Sequence, residues 1–349
     1  MVAFLTLITP FVALAASLAV ILAIRFLDVV EREPKRLIAL GLLLGAASTV
    51  PSIIWQLIGE SIWHSFGASE ATVSVLTTVV DAPISEELFK GLALLALILT
   101  QRTKLDSLTD YLIYACAVGI GFELVENILY QWAAFQQGNQ IETWFEELNN
   151  RTLASAGGHA FFSIWLGLAG WIIFQSRSNK TKLLAPACLI PSIILHGLNN
   201  LTAIMSGIGP SDVILPINRL GTTLAVINSH LALALFIGLI GIAILRDVQF
   251  LFEYGSLIQS RIMRTEPPHS HSLFILKELT SPINHVMANS SWSWKRWDLS
   301  TRAVKERSSY RTFARLALAA AQRGPADSME DIARAGFIEE GVRLVQCLS

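Results

Sequence analysis

The stretch LTDYLIYACAVGIGFELVENILYQW, residues 108–132, decides how this chain is read. It has the length of a bilayer-spanning helix, which needs ~20 mostly apolar residues. Yet Glu123 and Glu126 interrupt it, and a carboxylate costs roughly 2.5–3.5 kcal/mol at the centre of an inserted helix. No Lys or Arg occurs between Leu105 and Asn150 to neutralise either acid locally. The two acids stand at i, i+3 and share one helix face, with Asn127 beside them. Ionisable groups inside a membrane are functional by default. The bland alternative is a pair of protonated acids hydrogen-bonded to neighbouring helices, a state that burial favours.

The rest of the 349-residue chain has the same character. Hydrophobic residues make up 53%, charged residues 15%, and the mean hydropathy is +0.53. Such a composition belongs to an integral membrane protein. A net charge of −1 provides no basic field for a nucleic acid. Cys116, Cys188 and Cys347 form no CxxC pair, which argues against a disulfide framework or a zinc–thiolate site. Two residues follow Cys347, so the end is not a CaaX box. The N-terminal apolar segment lacks a basic flank and is read as a retained span.

Seven spans are expected, at about 3–26, 37–58, 75–98, 108–132, 152–175, 183–206 and 221–245. Arg32, Lys35 and Arg36 lie in the first loop, Arg102 and Lys104 in the third, and Arg177, Lys180 and Lys182 in the fifth. The intervening loops hold none or one, namely Arg151 or Arg219. That alternation predicts an outside N-terminus and a cytoplasmic tail, in a plasma (cytoplasmic) membrane. The fold expected is an all-α polytopic membrane helical bundle with a helical cytoplasmic C-terminal tail. Residues 1–246 form the transmembrane domain and 247–349 the tail, which has an excess of Lys and Arg over Asp and Glu. Residues 265–349 are expected to be dispensable for folding of the membrane domain. In the tail, SYRTFARLALAAAQRGP reads as a helix closed by Gly324 and Pro325. Ser328 with Asp331 resembles a capping box. Trp292, Trp294 and Trp297 alternate with Lys295 and Arg296, which suits either a headgroup anchor or a small helical core.

Polar groups recur along the spans. In SEELFKG, Glu86 and Lys90 are one turn apart and read as a charge pair, which leaves Glu87 needing a partner. His159 in SAGGHAFFS and His196 in SIILHGLNNL are single histidines on apolar helices. Taken alone, the former is structural, whereas Asn200 shares a face with His196 at i, i+4. Asn228 and His230 are read as packing. At ~1.5 Å rise per residue, Glu126, His159 and Asn200 lie ~9–10 Å from the outer helix ends, and Glu86, Glu87, Glu123 and His196 roughly 14–18 Å. Pro83 leaves one ambiguity: a helix starting there would move the Glu pair outward. Four parts of the chain thus bring glutamates, histidines and an asparagine to one layer. Glutamate can take a proton from water, histidine can hold a metal and asparagine can donate to an oxyanion. The soluble HExxH motif is absent, so a metal site would be assembled across helices.

At these residues the chain resembles the PrsW family of intramembrane proteases, distant relatives of the CAAX-prenyl endopeptidases. The resemblance covers about residues 31–202. It runs through Glu33–Pro34, EELFK on Glu86, Glu87 and Lys90, and FELVENILY on Phe122, Glu126 and Asn127. It continues through GHA at His159 and PSIILHG at His196. Glu123 is additional to the pattern, and Asn200 stands where the family often has Asp. The resemblance implies a membrane endopeptidase with a water nucleophile. Glu86 or Glu87 would be the general base; Glu126, His159 and His196 would hold the water or a divalent metal such as zinc; Asn200 would steady the oxyanion. The implied partners are membrane lipid and a single-pass membrane protein, typically an anti-sigma factor. A proton- or cation-coupled carrier and a non-catalytic scaffold are the alternatives from other classes.

Overall fold

A computed structural model describes residues 2–136, 140–176, 178–206, 218–265, 270–282, 301–322 and 328–348. Among these the chain is helical. The helices are α1 (Val2–Phe26), α2 (Lys35–Ser65), α3 (Glu70–Leu76), α4 (Ala82–Gln101), α5 (Leu108–Ala134) and α6 (Gln140–Glu147). They continue as α7 (Gly158–Gln175), α8 (Asn179–Lys182), α9 (Leu189–Met205), α10 (Asn218–Thr265), α11 (Ser270–Thr280), α12 (Thr301–Gln322) and α13 (Ser328–Leu348). The tryptophan cluster at 292–297, Gly324 and Pro325 lie outside the described residues.

Six described segments are long and apolar enough to cross a membrane: Phe4–Phe26, Lys35–Ser65, Leu108–Ala134, Ile141–Gln175, Asn179–Met205 and Arg219–Arg264. The seventh expected span, 75–98, is not among them, because α4 concentrates Glu86, Glu87 and Lys90. It is nonetheless a full helix. A wide turn at Thr77–Asp81 joins it to α3, and Pro83 sits in its first turn, where a missing N–H leaves no bond unmade.

The chain divides into two compact units. The first comprises Met1–Ile24, Pro34–Arg102 and Tyr111–Leu239. Helix α5 is its axis: from Tyr111 to Val118 no side chain is more than 1% exposed, so neighbours surround it on every side. Helix α4 packs against α2, α7 and α9, and α7 against α9. Large apolar side chains face outward along α1 and α2, among them Phe4, Leu7, Phe11, Leu57 and Ile58. A soluble protein would not leave so much apolar surface in water, and lipid is its natural solvent.

The second unit comprises Arg25–Glu33, Thr103–Asp110 and Ile240–Ser349, so its limits differ from the expected 247–349 tail. Two loops belong to it for a physical reason. Val30 packs with Ala314 and Leu318 of α12, and Glu31 pairs with Arg315 at 2.5 Å. Asp28 shapes the first loop by accepting the N–H groups of Glu31 and Glu33. The core of the unit is Leu251, Tyr254, Ile258 and Ile262 of α10 against Leu276, Phe313, Leu316 and Val345. The spacing of the α10 residues puts them on one stripe.

Candidate active site

Among the described residues, the buried charged residues of the first unit meet in one place. Helix α4 contributes Glu86, Glu87 and Lys90, which are 4%, 0% and 0% exposed. Helix α5 contributes Glu123 and Glu126, α7 contributes His159, and α9 contributes Ser192 and His196.

Glu87 is saturated. Its Oε1 accepts from Lys90 Nζ at 2.8 Å and lies 3.0 Å from His196 Nδ1. Its Oε2 accepts from Ser192 Oγ at 2.8 Å and from Ser163 Oγ at 3.5 Å. Lys90 therefore pairs more closely with Glu87 than with Glu86, whose Oε2 is 3.6 Å away. The i, i+4 spacing favours Glu86 as the partner, but the side chains of Ser192 and His196 draw Glu87 inward instead.

Glu86 differs. Gln56 of α2 reaches its Oε1 at 3.3 Å, while its buried Oε2 has no hydrogen-bond partner. That oxygen lies 3.7 Å from His196 Nε2 and 3.9 Å from His159 Nδ1. The other nitrogen of each imidazole meets a carboxylate: His196 Nδ1 meets Glu87, and His159 Nε2 lies 2.8 Å from Glu126 Oε2. The hydrogen bond to Glu87 fixes the tautomer of His196 and turns its Nε2 lone pair inward. Glu126 Oε2 stands beside His159 Nε2 without a hydrogen bond, and His159 Nδ1 meets Lys90 Nζ at 2.6 Å. Helix packing adds to this, with the His196 ring stacked on Phe162 at 4.8 Å and the two imidazoles 5.0 Å apart.

Glu126, expected to lack a local cation, receives one through the fold. Arg151 Nη2 lies 3.1 Å from its Oε1, and the guanidinium rests 3.4 Å from the Tyr130 ring centroid. The structure thus places Glu126 between Arg151 and His159, and groups Glu86, rather than Glu126, with the two histidines. Donor atoms of Glu86, His159 and His196 lie within 4.8 Å of one another. Asn200 is not brought into this group. Its amide donates to the Thr78 carbonyl at 3.0 Å, in the wide turn before α4, where helical hydrogen bonds are out of step. Asn228 holds the Leu195 carbonyl at 3.2 Å, in keeping with a packing role.

Sequence reasoning missed Gln56, Arg151, Ser163 and Ser192. Ser192 carried a signal, since it precedes His196 by one helical turn inside PSIILHG. Arg151 carried a weaker one, as the lone cation of a loop expected to have few.

The donor set fits a divalent metal. An orphaned carboxylate oxygen faces two imidazole nitrogens, and the four glutamates exceed Lys90 and Arg151 by two formal charges, although a metal on His159 Nδ1 would have to displace Lys90 Nζ, now 2.6 Å away. The PrsW family intramembrane metalloprotease profile matches residues 33–228, more than half of the chain. The chain belongs to the PrsW family. It is an intramembrane metalloprotease. A curated relative, Protease PrsW of Oceanobacillus iheyensis, is 28% identical over 171 residues, which cover 48% of this chain and 70% of that protein. No solved structure matches the chain. Residues 33–228 contain every residue of the site just described; Gln56, Arg151 and Ser163 lie outside the family's sequence elements named above.

Proposed function

We propose that this PrsW protease hydrolyses a peptide bond of a single-pass membrane protein, an anti-sigma-factor-like regulator, near the outer face of the plasma membrane. The observation that supports this most is the unpartnered Glu86 Oε2 facing His159 Nδ1 and His196 Nε2. Glu87 already has its hydrogen-bond partners, so the general-base role expected of Glu86 or Glu87 falls to Glu86. Its open oxygen takes a proton from the attacking water, and the leaving amine takes up a proton in turn. His159 and His196 would hold a divalent metal such as zinc, which would supply Lewis acidity toward water and the peptide carbonyl, with Glu86 beside it as the base rather than as a third ligand. Glu87 and Glu126 keep the two imidazoles in register. Lys90, 2.6 Å from His159 Nδ1, supplies a buried positive charge beside the place where negative charge develops. Asn200 serves the turn before α4 in this reading and not the oxyanion. The Lys and Arg bias of the loops supports an outside N-terminus and a cytoplasmic tail.

The test is reconstitution in lipid with single-pass substrates, followed by mass spectrometry of the fragments and elemental analysis of the enzyme. A new fragment whose formation stops with Glu86→Gln and with chelation supports the reading. Tight binding of every substrate without cleavage, by a folded and metal-loaded protein, would overturn it.

A further inference from the structure

Glu123 lies outside the family pattern, and neither a metal nor a proton-transfer role has fallen to it. It is 6% exposed, and both of its oxygens point at backbone. Oε1 accepts the N–H of Gly157 at 2.8 Å, and Oε2 accepts the N–H of His159 at 3.1 Å. These are N–H groups at the start of α7, where a helix has no carbonyls of its own to offer and the peptide dipoles present positive charge. Helices usually meet that need with a Ser, Thr, Asp or Asn at the cap. Here the cap is Gly157, which has no side chain and sits in the left-handed region at φ +84°. Ser155 is turned away, donating to the Asn150 carbonyl at 2.7 Å. The cap comes instead from another helix.

That helix grips His159 repeatedly. Glu123 takes its backbone N–H, and Glu126, three residues later on the same face of α5, meets its ring Nε2 at 2.8 Å. The Phe122 ring lies 5.5 Å from the imidazole. Gly119 completes the contact, since a Cβ there would fall 2.6 Å from the His159 carbonyl oxygen. Backbone and ring are thus tied to one rigid element, which leaves the imidazole little freedom to rotate about the bond between them. An ordinary cap would stabilise α7 and stop there. This one ends on the residue whose other ring nitrogen faces Glu86.

We infer that Glu123 is a positioning residue: its carboxylate caps α7 from α5 and holds His159 at the angle at which Nδ1 faces Lys90 and Glu86. The inference rests on His159 serving the proposed site, and its test separates the two. The protein is purified in detergent as wild type, Glu123→Gln and Glu123→Ala. Protein carrying ¹⁵N-labelled histidine reports the His159 amide, assigned by its loss in His159→Gln. Zinc affinity and kcat/KM are measured on the same samples. Glutamine keeps one acceptor oxygen and alanine keeps none. The amide resonance should therefore move upfield progressively from wild type through Gln to Ala. Zinc binding should weaken in the same order, reaching ~10–100-fold for Ala, the usual effect of losing a residue that supports a metal ligand. If Glu123→Ala does not fold, the Gln variant alone carries the comparison. An unmoved amide would overturn the cap. A moved amide with zinc affinity and kcat/KM within twofold of wild type would reduce Glu123 to a stabilising cap and overturn the positioning role. If wild type binds no zinc, the metal reading fails while the amide shift and kcat/KM still decide this one.

Discussion

Lys90 Nζ lies 2.6 Å from Nδ1 of His159, a residue 69 positions away in the chain. The same ammonium meets Glu87 at 2.8 Å and is fully buried above the Phe122 ring, 4.2 Å from its centroid. One cation therefore joins three helices, and its removal tests how the acids are held apart.

Lys90→Ala should leave Glu87 and Glu86 buried without their cation. Breaking a buried pair costs ~3–5 kcal/mol, so the amount of monodisperse protein should fall sharply. Glu87→Gln/Lys90→Met should recover more than Glu86→Gln/Lys90→Met, because Glu87 is the nearer partner. Size-exclusion yield from membranes measures both. Wild-type yield and activity in Lys90→Ala would remove the structural assignment.

Glu86→Gln should lower the cleavage rate by ~100-fold or more at matched folded protein, as expected when a general base is lost. Glu126→Gln should act through His159 and cost ~10–100-fold, chiefly as weaker metal binding. Chelation should inactivate the wild type, and added zinc should restore it. The reverse order of the two variants would move the base to α5.

The second unit gathers acids around its loops, outside the spanning segments. Burial holds the Asp28 carboxyl well above its usual range and pushes Glu31 up to about 7. Burial, then the charges of Asp110 and Glu31, push Asp106 up to about 10. Arg315 and Arg311 oppose the rise at Glu31, and Asp247 adds to it at Asp106. An acid with a raised folded pKa contributes stability below its unfolded pKa and loses it as pH rises through the folded value. Melting of this unit should therefore fall as pH rises from ~4.5 through 7 and beyond. Asp106→Asn should flatten the slope above neutrality in a pH series of thermal melts. An unchanged slope would show that Asp106 is not held protonated.

Phe313 is fully buried between α10 and α13 in the core of the second unit. Phe313→Ala should cost ~3–5 kcal/mol, seen as faster limited proteolysis of α11–α13. Deletion of residues 265–349 uncovers Leu251, Tyr254, Ile258 and Ile262 and takes away the partners of Val30 and Glu31. The dispensable tail expected from sequence is revised accordingly: the truncated protein should aggregate in mild detergent. A monodisperse truncation with a wild-type melt would restore the earlier expectation.

Much of this protein is legible without coordinates, because a bilayer imposes a one-dimensional constraint. A span must be about as long as the hydrocarbon is thick, and each charge inside it stands out against its neighbours. Hence the helices, the layer of acids and histidines, and the membership of Glu86, Glu87, Glu126, His159 and His196 follow from residues 31–202 read in order. Spacing joined Lys90 to Glu86, and the family resemblance implied Glu126 in the ligand set and Asn200 at the oxyanion; neither could go further. Spacing along one helix tells which residues share a face, but not which oxygen a neighbouring helix will occupy. Only the packing of α2, α4, α5, α7 and α9 saturates Glu87, leaves Glu86 Oε2 open, and carries Arg151 to Glu126. It likewise turns Glu123, an anomaly in a span, into the cap of α7, because backbone N–H groups from a distant segment have no signature in the sequence that satisfies them.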